Sequence, residues 1–194
     1  MRADAGARVD PTRVTVDGLP LEFPSGLTVL FHKPVGLVCS HDPRDGRRVY
    51  DALPARWLLR TPRVTSVGRL DKDTSGLLVI TDDGALVQRL TSPRHHVDKV
   101  YEAVLDLDVP PALVERFADG IELHEDGQVE KTRPARLQLL EPRRVELTLR
   151  EGRYHQVRRM FAACGLTVTA LHRTRFGPWS LEGLPPGAWA EVSA

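Results

Sequence analysis

Cysteine is nearly absent from this chain of 194 residues: only Cys39 and Cys164 occur, too few for a disulfide framework or a cysteine-built zinc site. Both read as reduced core residues. No stretch approaches the roughly 18 apolar residues of a membrane span, and the polar start MRADAGARVD has no signal-peptide core. The expectation is a cytoplasmic protein with no membrane partner. The adjacent His95 and His96 lack the helical spacing of a metal pair, so no metal site is expected, and nothing in the composition calls for a cofactor. There are no internal repeats and no low-complexity tracts. Lysine is scarce too, supplying only four of the 27 basic residues.

What remains is arginine, and its placement is uneven. A net charge of +1 does not announce a nucleic-acid partner, yet between Arg150 and Arg175 six arginines face the single acid Glu151. Arginine's planar fork suits phosphate oxygens and stacks on bases, so this local excess fits an RNA surface as well as a solvated face. Hydrophobic content of 41% and charged content of 27% are ordinary for a globular protein. The length allows one medium domain with a real core, plus a small appendage.

The stretch VGRLDKDTSGLLVITDDG, from Val67 to Gly84, organises the rest. Leu77-Leu78-Val79-Ile80 shows no polar alternation and lies between Gly76 and a turn-forming Thr-Asp-Asp-Gly, which predicts a strand buried on both faces. The loop feeding it holds Arg69, Asp71, Lys72, Asp73 and Thr74. Polar groups on a loop held by a rigid strand are the usual arrangement of a site, although Asp71 or Asp73 closing an Asx turn fits the same spacing.

Along the chain, residues 1–24 read as weakly organised, with a short hairpin around Asp17-Gly18. Strands are expected at 27–31 and 36–39, on either side of His32-Lys33-Pro34. Lys33 either faces RNA or is a strand-end cation before a proline turn. Residues 42–66, rich in Pro and Arg, read as a mobile connection with one apolar turn at Trp57-Leu58-Leu59. Asp83 should cap a helix over 84–91, which Pro93 stops. Alternation puts Tyr101, Ala103 and Leu105 on one face of a strand over 99–105. A helix carrying Leu113, Val114 and Phe117 should close at Gly120. Strands over 136–140 and 143–150 should pair as a hairpin. A helix from about Tyr154 to Gly165 has Val157, Met160, Phe161 and Cys164 as its core stripe. That stripe leaves His155 and Arg158 as neighbours one turn apart and turns Arg159 to solvent. A strand over 166–171, an Arg173-x-Arg175-x-Gly177 segment and a tail complete the domain.

Three separated runs, G-R-L-D at 68–71, K-x-Y at 99–101 and E-G-R-Y-H-Q-V-R-R-M at 151–160, resemble the motifs of the pseudouridine synthases that act on ribosomal RNA. The hKPxGxvcS pattern around Lys33 is a feature of the same family. The resemblance implies an α+β fold in which a mainly antiparallel, bent central sheet is flanked by helices around a central cleft. It assigns residues 25–194 to the catalytic domain. It likens residues 1–24 to a truncated S4-type RNA-binding remnant, or leaves them a flexible hairpin.

It also implies that uridine is isomerised to pseudouridine without metal or redox cofactor. Asp71 would be the catalytic carboxylate, acting either as nucleophile at C1′ or as base at C2′. Tyr101 would stack on the target base, and Arg158 would pair with Asp71. Contacts to RNA would come from Arg69, Lys33, Arg94, His95, Lys99, Arg153, His155, Gln156, Arg159, Arg173 and Arg175. The loop at 91–96 and the run at 151–163 look most like the small-subunit branch, implying 16S rRNA in a pre-ribosomal particle as partner and a monomeric enzyme. A 23S rRNA target and a non-catalytic RNA-binding module are the alternatives, while a glycoside hydrolase would want two carboxylates on opposite sides of the bond.

Overall fold

The computed structural model describes residues 9–16, 18–92, 94–125 and 128–192. Seven strands form the spine of one sheet, in the spatial order Trp189–Glu191, Thr28–Lys33, Thr74–Thr81, Val168–Phe176, Lys99–Leu105, Arg144–Leu149, Arg136–Glu141. Two short strands, Thr65–Ser66 and Trp179–Ser180, pair with Thr74–Thr81 and Val168–Phe176. Every pairing is antiparallel except that of Thr74–Thr81 with Val168–Phe176. The fold is therefore α+β with a mainly antiparallel sheet, as the sequence resemblance implied.

Apolar patterning explains how the layers form. Leu78 and Ile80 enter one core cluster and Leu77 and Val79 the other, all fully buried, so the central strand is covered on both faces. On one face lie Leu113 and Phe117 of the helix Leu113–Asp119 and Val157, Met160 and Phe161 of the helix Gln156–Ala162. Phe117 and Phe161 meet at 4.9 Å. On the other face the helix Gly84–Thr91 lays Leu86 and Leu90 on Leu77, Val79 and Phe176. Its N-cap is Asp83, whose carboxylate accepts from the amides of Ala85 and Leu86. Pro93, the expected stop of that helix, and Asp17 of the N-terminal turn lie outside the described residues. So do residues 1–8 of the S4-like segment. The strands Thr15–Val16 and Leu19–Pro20 flanking that turn do pair.

Three sequence readings need correction. Residues 36–39 make no strand, only a bridge between Val38 and Arg48, because the chain turns at Gly36 with φ 90°. The connection 42–66 is not loose. Two 3-10 turns, Val49–Ala52 and Ala55–Leu59, carry Val49, Tyr50 and Trp57 into the main core, with Leu53 between them. Trp57 donates its indole N–H to Glu22, and Arg60 spans to Asp82 at 2.6 Å. The strand expected at 166–171 runs instead from Val168 to Phe176, absorbing Arg173 and Arg175. A hairpin of Glu122–Glu125 and Gln128–Lys131 was not foreseen.

Gly76 is the tightest point of the sheet. It faces Arg173 across the parallel pair and Lys33 across the antiparallel one. A Cβ built there would stand 2.3 Å from the Arg173 carbonyl oxygen, and φ is +120°. Only glycine fits. Gly76→Ala is expected to destabilise the protein by at least about 2 kcal/mol, read as a lowered Tm. Gly84→Ala, in a helix with nothing within 4 Å of the added carbon, should be neutral or stabilising.

Candidate active site

The loop between Gly68 and Thr74 is anchored from beneath by Lys33. Alternation along Thr28–Lys33 places Val29, Phe31 and Lys33 on one face, so the lysine side chain goes inward and is fully buried. Its ammonium donates to the carbonyls of Thr74 at 2.7 Å, Asp71 at 3.0 Å and Pro34 at 3.1 Å, with Lys72 at 3.5 Å. Burial holds its pKa below the usual lysine value, opposed by Cys39, Asp71 and Asp73. The amide of Gly36 adds a bond to the Lys72 carbonyl at 2.7 Å. The expectation that Lys33 faces RNA is thus corrected: its three donors are spent on backbone carbonyls of the Pro34 turn and of the loop that carries Asp71.

Above that loop opens a cleft of about 600 Å³, lined by Arg69, Asp71, Tyr101, Arg133, Tyr154, His155 and Arg158 among others. The Asp71 side chain is one-third exposed and meets His155 Nε2 at 3.4 Å. Arg158 pairs not with Asp71, as the resemblance implied, but with Asp73 at 2.7 Å, and it donates to the Val168 carbonyl at 2.8 Å. Asp73 lies two residues further along the same loop and takes the guanidinium, which leaves Asp71 to the imidazole. His155 itself is not helical. It sits ahead of the helix Gln156–Ala162 in a left-handed conformation, φ 46° and ψ 32°, which aims its ring at Asp71.

Tyr101 is nearly buried, with its strand neighbours Leu147 and Arg173 on either side. Arg173 is 1% exposed and donates Nε–H to the Leu77 carbonyl at 2.8 Å. Its guanidinium lies 4.9 Å from the Phe176 ring centre and 6.0 Å from that of Tyr101. It is a buried cation beneath the cleft, not an exposed RNA contact, because the register that faces it to Gly76 and Tyr101 points it into the core. Lys99 lines the cleft over Phe176 at 5.7 Å, its pKa lowered by burial and then by Arg173.

The other sequence-assigned residues divide. Arg69 is exposed on the cleft wall. Arg153 also lines the cleft, but its guanidinium is held by Glu130 at 2.7 Å and by the Lys131 carbonyl at 2.9 Å. Gln156 is buried and bonded to Glu151 at 2.6 Å, so it braces the loop instead of meeting RNA. Arg94 and His95 are exposed outside the cleft lining, and Arg175 lines a separate cavity with Arg136 and Arg150. Arg159 is half-buried, not turned to solvent, and donates to the Tyr154 carbonyl at 3.4 Å. Sequence reading missed Arg133, Asp73 as an ion-pair partner, and Tyr154. Tyr154 stood in a quoted motif, and its exposed place before the helix was the available signal. Among the described residues no group of three or more His, Cys, Asp or Glu is placed to hold a metal ion.

This arrangement offers a partly exposed carboxylate on a clamped loop, an aromatic floor and a cationic rim. It suits a reaction at the sugar of a nucleotide whose base needs a flat support. Comparison with known proteins agrees. Residues 28–163 match the family model described as RNA pseudouridylate synthase. Ribosomal small subunit pseudouridine synthase A of Escherichia coli (strain K12) is 44% identical over 184 residues, covering 93% of this chain and 77% of that protein. The protein of the same name in Vibrio cholerae is 43% identical over 162 residues, 83% of this chain and 68% of its own. A crystal structure of a pseudouridylate synthase superposes with a TM-score of 0.80 at 40% identity, over 87% of this chain and 70% of that one. An archaeal box H/ACA Nop10–Cbf5 complex, at 20% identity and a TM-score of 0.54 over 92% of this chain and 55% of that one, shares the fold. The chain belongs to the RNA pseudouridylate synthase family.

Proposed function

We propose that this protein converts one uridine of 16S rRNA to pseudouridine, acting as a cytoplasmic monomer on a pre-ribosomal particle. The observation that carries the reading is the one-third exposed Asp71 carboxylate, held at the mouth of a cation-rimmed cleft by the buried Lys33 clamp. The choice of 16S rRNA rests on relatives of 43–44% identity that are named for the small subunit. Residues 25–194 form the catalytic unit on this reading, with residues 1–24 as an appendage.

In the reaction, the C1′–N1 bond breaks, the freed uracil turns over, C5 bonds to C1′, and the C5 proton is lost to water. Asp71 acts at the ribose, as nucleophile at C1′ or as base at C2′. Tyr101 supports the ring while it turns. Extracting the base from its stack costs about a few kcal/mol, and Arg69 on the exposed loop is placed to fill the space left behind. Arg158, through Asp73, fixes the loop two residues beyond the carboxylate. The Arg173 cation under Tyr101 is a fixed positive charge below the cleft.

The reading is tested by incubating the protein with 16S and 23S rRNA tritiated at uracil C5, each both free and assembled in a pre-ribosomal particle, and by mapping pseudouridine in both. Tritium release from 16S alone is expected; release only from 23S overturns the rRNA assignment, and no release overturns the chemistry. Asp71→Asn should abolish release while leaving RNA affinity and Tm close to wild type, and turnover in that variant would remove Asp71 from its role. Lys33→Met keeps the apolar stem but leaves buried carbonyls without their donor, each costing about 1–3 kcal/mol. Its Tm should fall by about 5 °C or more, with a lower single-turnover rate on 16S rRNA at saturation. Unchanged Tm and rate would show that the ammonium does not hold the loop.

A further inference from the structure

Tyr154 is the most exposed aromatic side chain among the described residues, at 64%, whereas Tyr50, Tyr101, Trp57 and Phe176 are buried. It stands on the wall of the Asp71 cleft. Its ring lies flat against His155, with ring centres 3.9 Å apart and planes inclined by 16°. His155 in turn reaches Asp71. Two stacked rings therefore lead outward from the carboxylate, and among the described residues no further ring lies on Tyr154.

The loop presenting this ring is fixed before any ligand arrives. The left-handed backbone at His155 sets the direction of the turn. The Tyr154 carbonyl accepts from Arg159 at 3.4 Å, and the Gln156 side-chain oxygen accepts from the Arg153 amide at 2.9 Å. The Arg153 guanidinium is tied to Glu130. An aromatic face held open on such a support meets a flat partner with little ordering cost. Arg69, Arg133 and Lys99 on the same cleft walls supply positive charge beside it, which suits a partner that carries phosphates.

We propose that Tyr154 is a stacking platform for an unpaired RNA base flanking the target uridine, a subsite distinct from the pocket that receives the uracil itself. The proposal rests on the RNA reading above. A ring face accepts any base and discriminates little by identity, but it requires a base that is free of its own helix. The subsite thus selects RNA shape, namely a loop or bulge in which the target's neighbour is unstacked. His155 couples the two positions, since its ring touches both the platform and the carboxylate.

The test compares wild type, Tyr154→Ala and Tyr154→Phe on 16S rRNA transcript, and then on a short fragment containing the mapped uridine. Tyr154→Ala should raise KM by roughly 5- to 100-fold, with kcat within about twofold and an unchanged Tm, because the ring is exposed. Tyr154→Phe keeps the face and should behave as wild type. Abasic substitution at each of the nucleotides flanking the mapped uridine should reveal one position whose removal raises KM as much as Tyr154→Ala does, with no further rise when the two are combined. An unchanged KM for Tyr154→Ala overturns the proposal, as does a fall in kcat that Tyr154→Phe fails to rescue, or additive losses at every flanking position. Wild-type protein that forms no pseudouridine overturns the underlying reading instead. Normal turnover with an unaltered KM in the alanine variant overturns only the platform.

Discussion

A buried ammonium group that meets no carboxylate among the described residues is the constraint on which the site depends. Lys33 has been taken out of water, which is costly for a charge, and the cost is offset by backbone carbonyls that the Pro34 turn and the Asp71–Thr74 loop turn toward it. Two of the loop carbonyls also take a backbone amide, Asp71 from Thr74 at 3.1 Å and Lys72 from Gly36 at 2.7 Å, so the ammonium adds to a loop that is already turned in on itself. Cation and loop therefore fix one another: the ammonium finds its acceptors only in this arrangement of the backbone. The outcome is that Asp71 sits on a loop whose backbone position is determined, while its carboxylate stays at the surface.

The same economy governs the opposite side of the central strand. Gly76 lets the backbone of Arg173 approach closely, and that approach delivers the Arg173 guanidinium to the Leu77 carbonyl beneath Tyr101. Two basic side chains, one from each neighbouring strand, are thereby buried near a single glycine. The cleft floor carries positive charge that no acid among the described residues pairs in contact, and the carboxylates of the loop stand above it. Such fixed charge needs no rearrangement when negative charge develops on a substrate.

Much of this was legible because the controlling signals are local. The unbroken apolar run at 77–80 read directly as a strand buried on both faces, and alternation placed Tyr101 inward. Motif resemblance located Asp71, Tyr101 and Arg158 in what proved to be one cleft. The misreadings share a cause, which is that a long-range partner decided the outcome. Trp57 and Arg60 turned a Pro- and Arg-rich connection into an ordered one by reaching Glu22 and Asp82. Arg173 looked like a surface cation until strand register buried it. Asp73 took Arg158 in place of Asp71, a choice between two acids on one loop that spacing does not make. Lys33 is the instructive case, because its alternation with Val29 and Phe31 already pointed inward, and the charge argued the other way.

The position of the strand Val168–Phe176 has a consequence for synthesis. It lies in the middle of the sheet, joining the half built from Thr28–Lys33 and Thr74–Thr81 to the half built from Lys99–Leu105, Arg144–Leu149 and Arg136–Glu141. In the chain, however, it comes after all five of them. As the polypeptide leaves the ribosome from its N-terminus, each half forms with an open edge toward the other, and the sheet closes only when this late segment inserts between them. Contacts of such sequence separation are slow to form. Asp71 and Tyr101 belong to different halves, so the two side chains share a cleft only once that last-made segment lies between them.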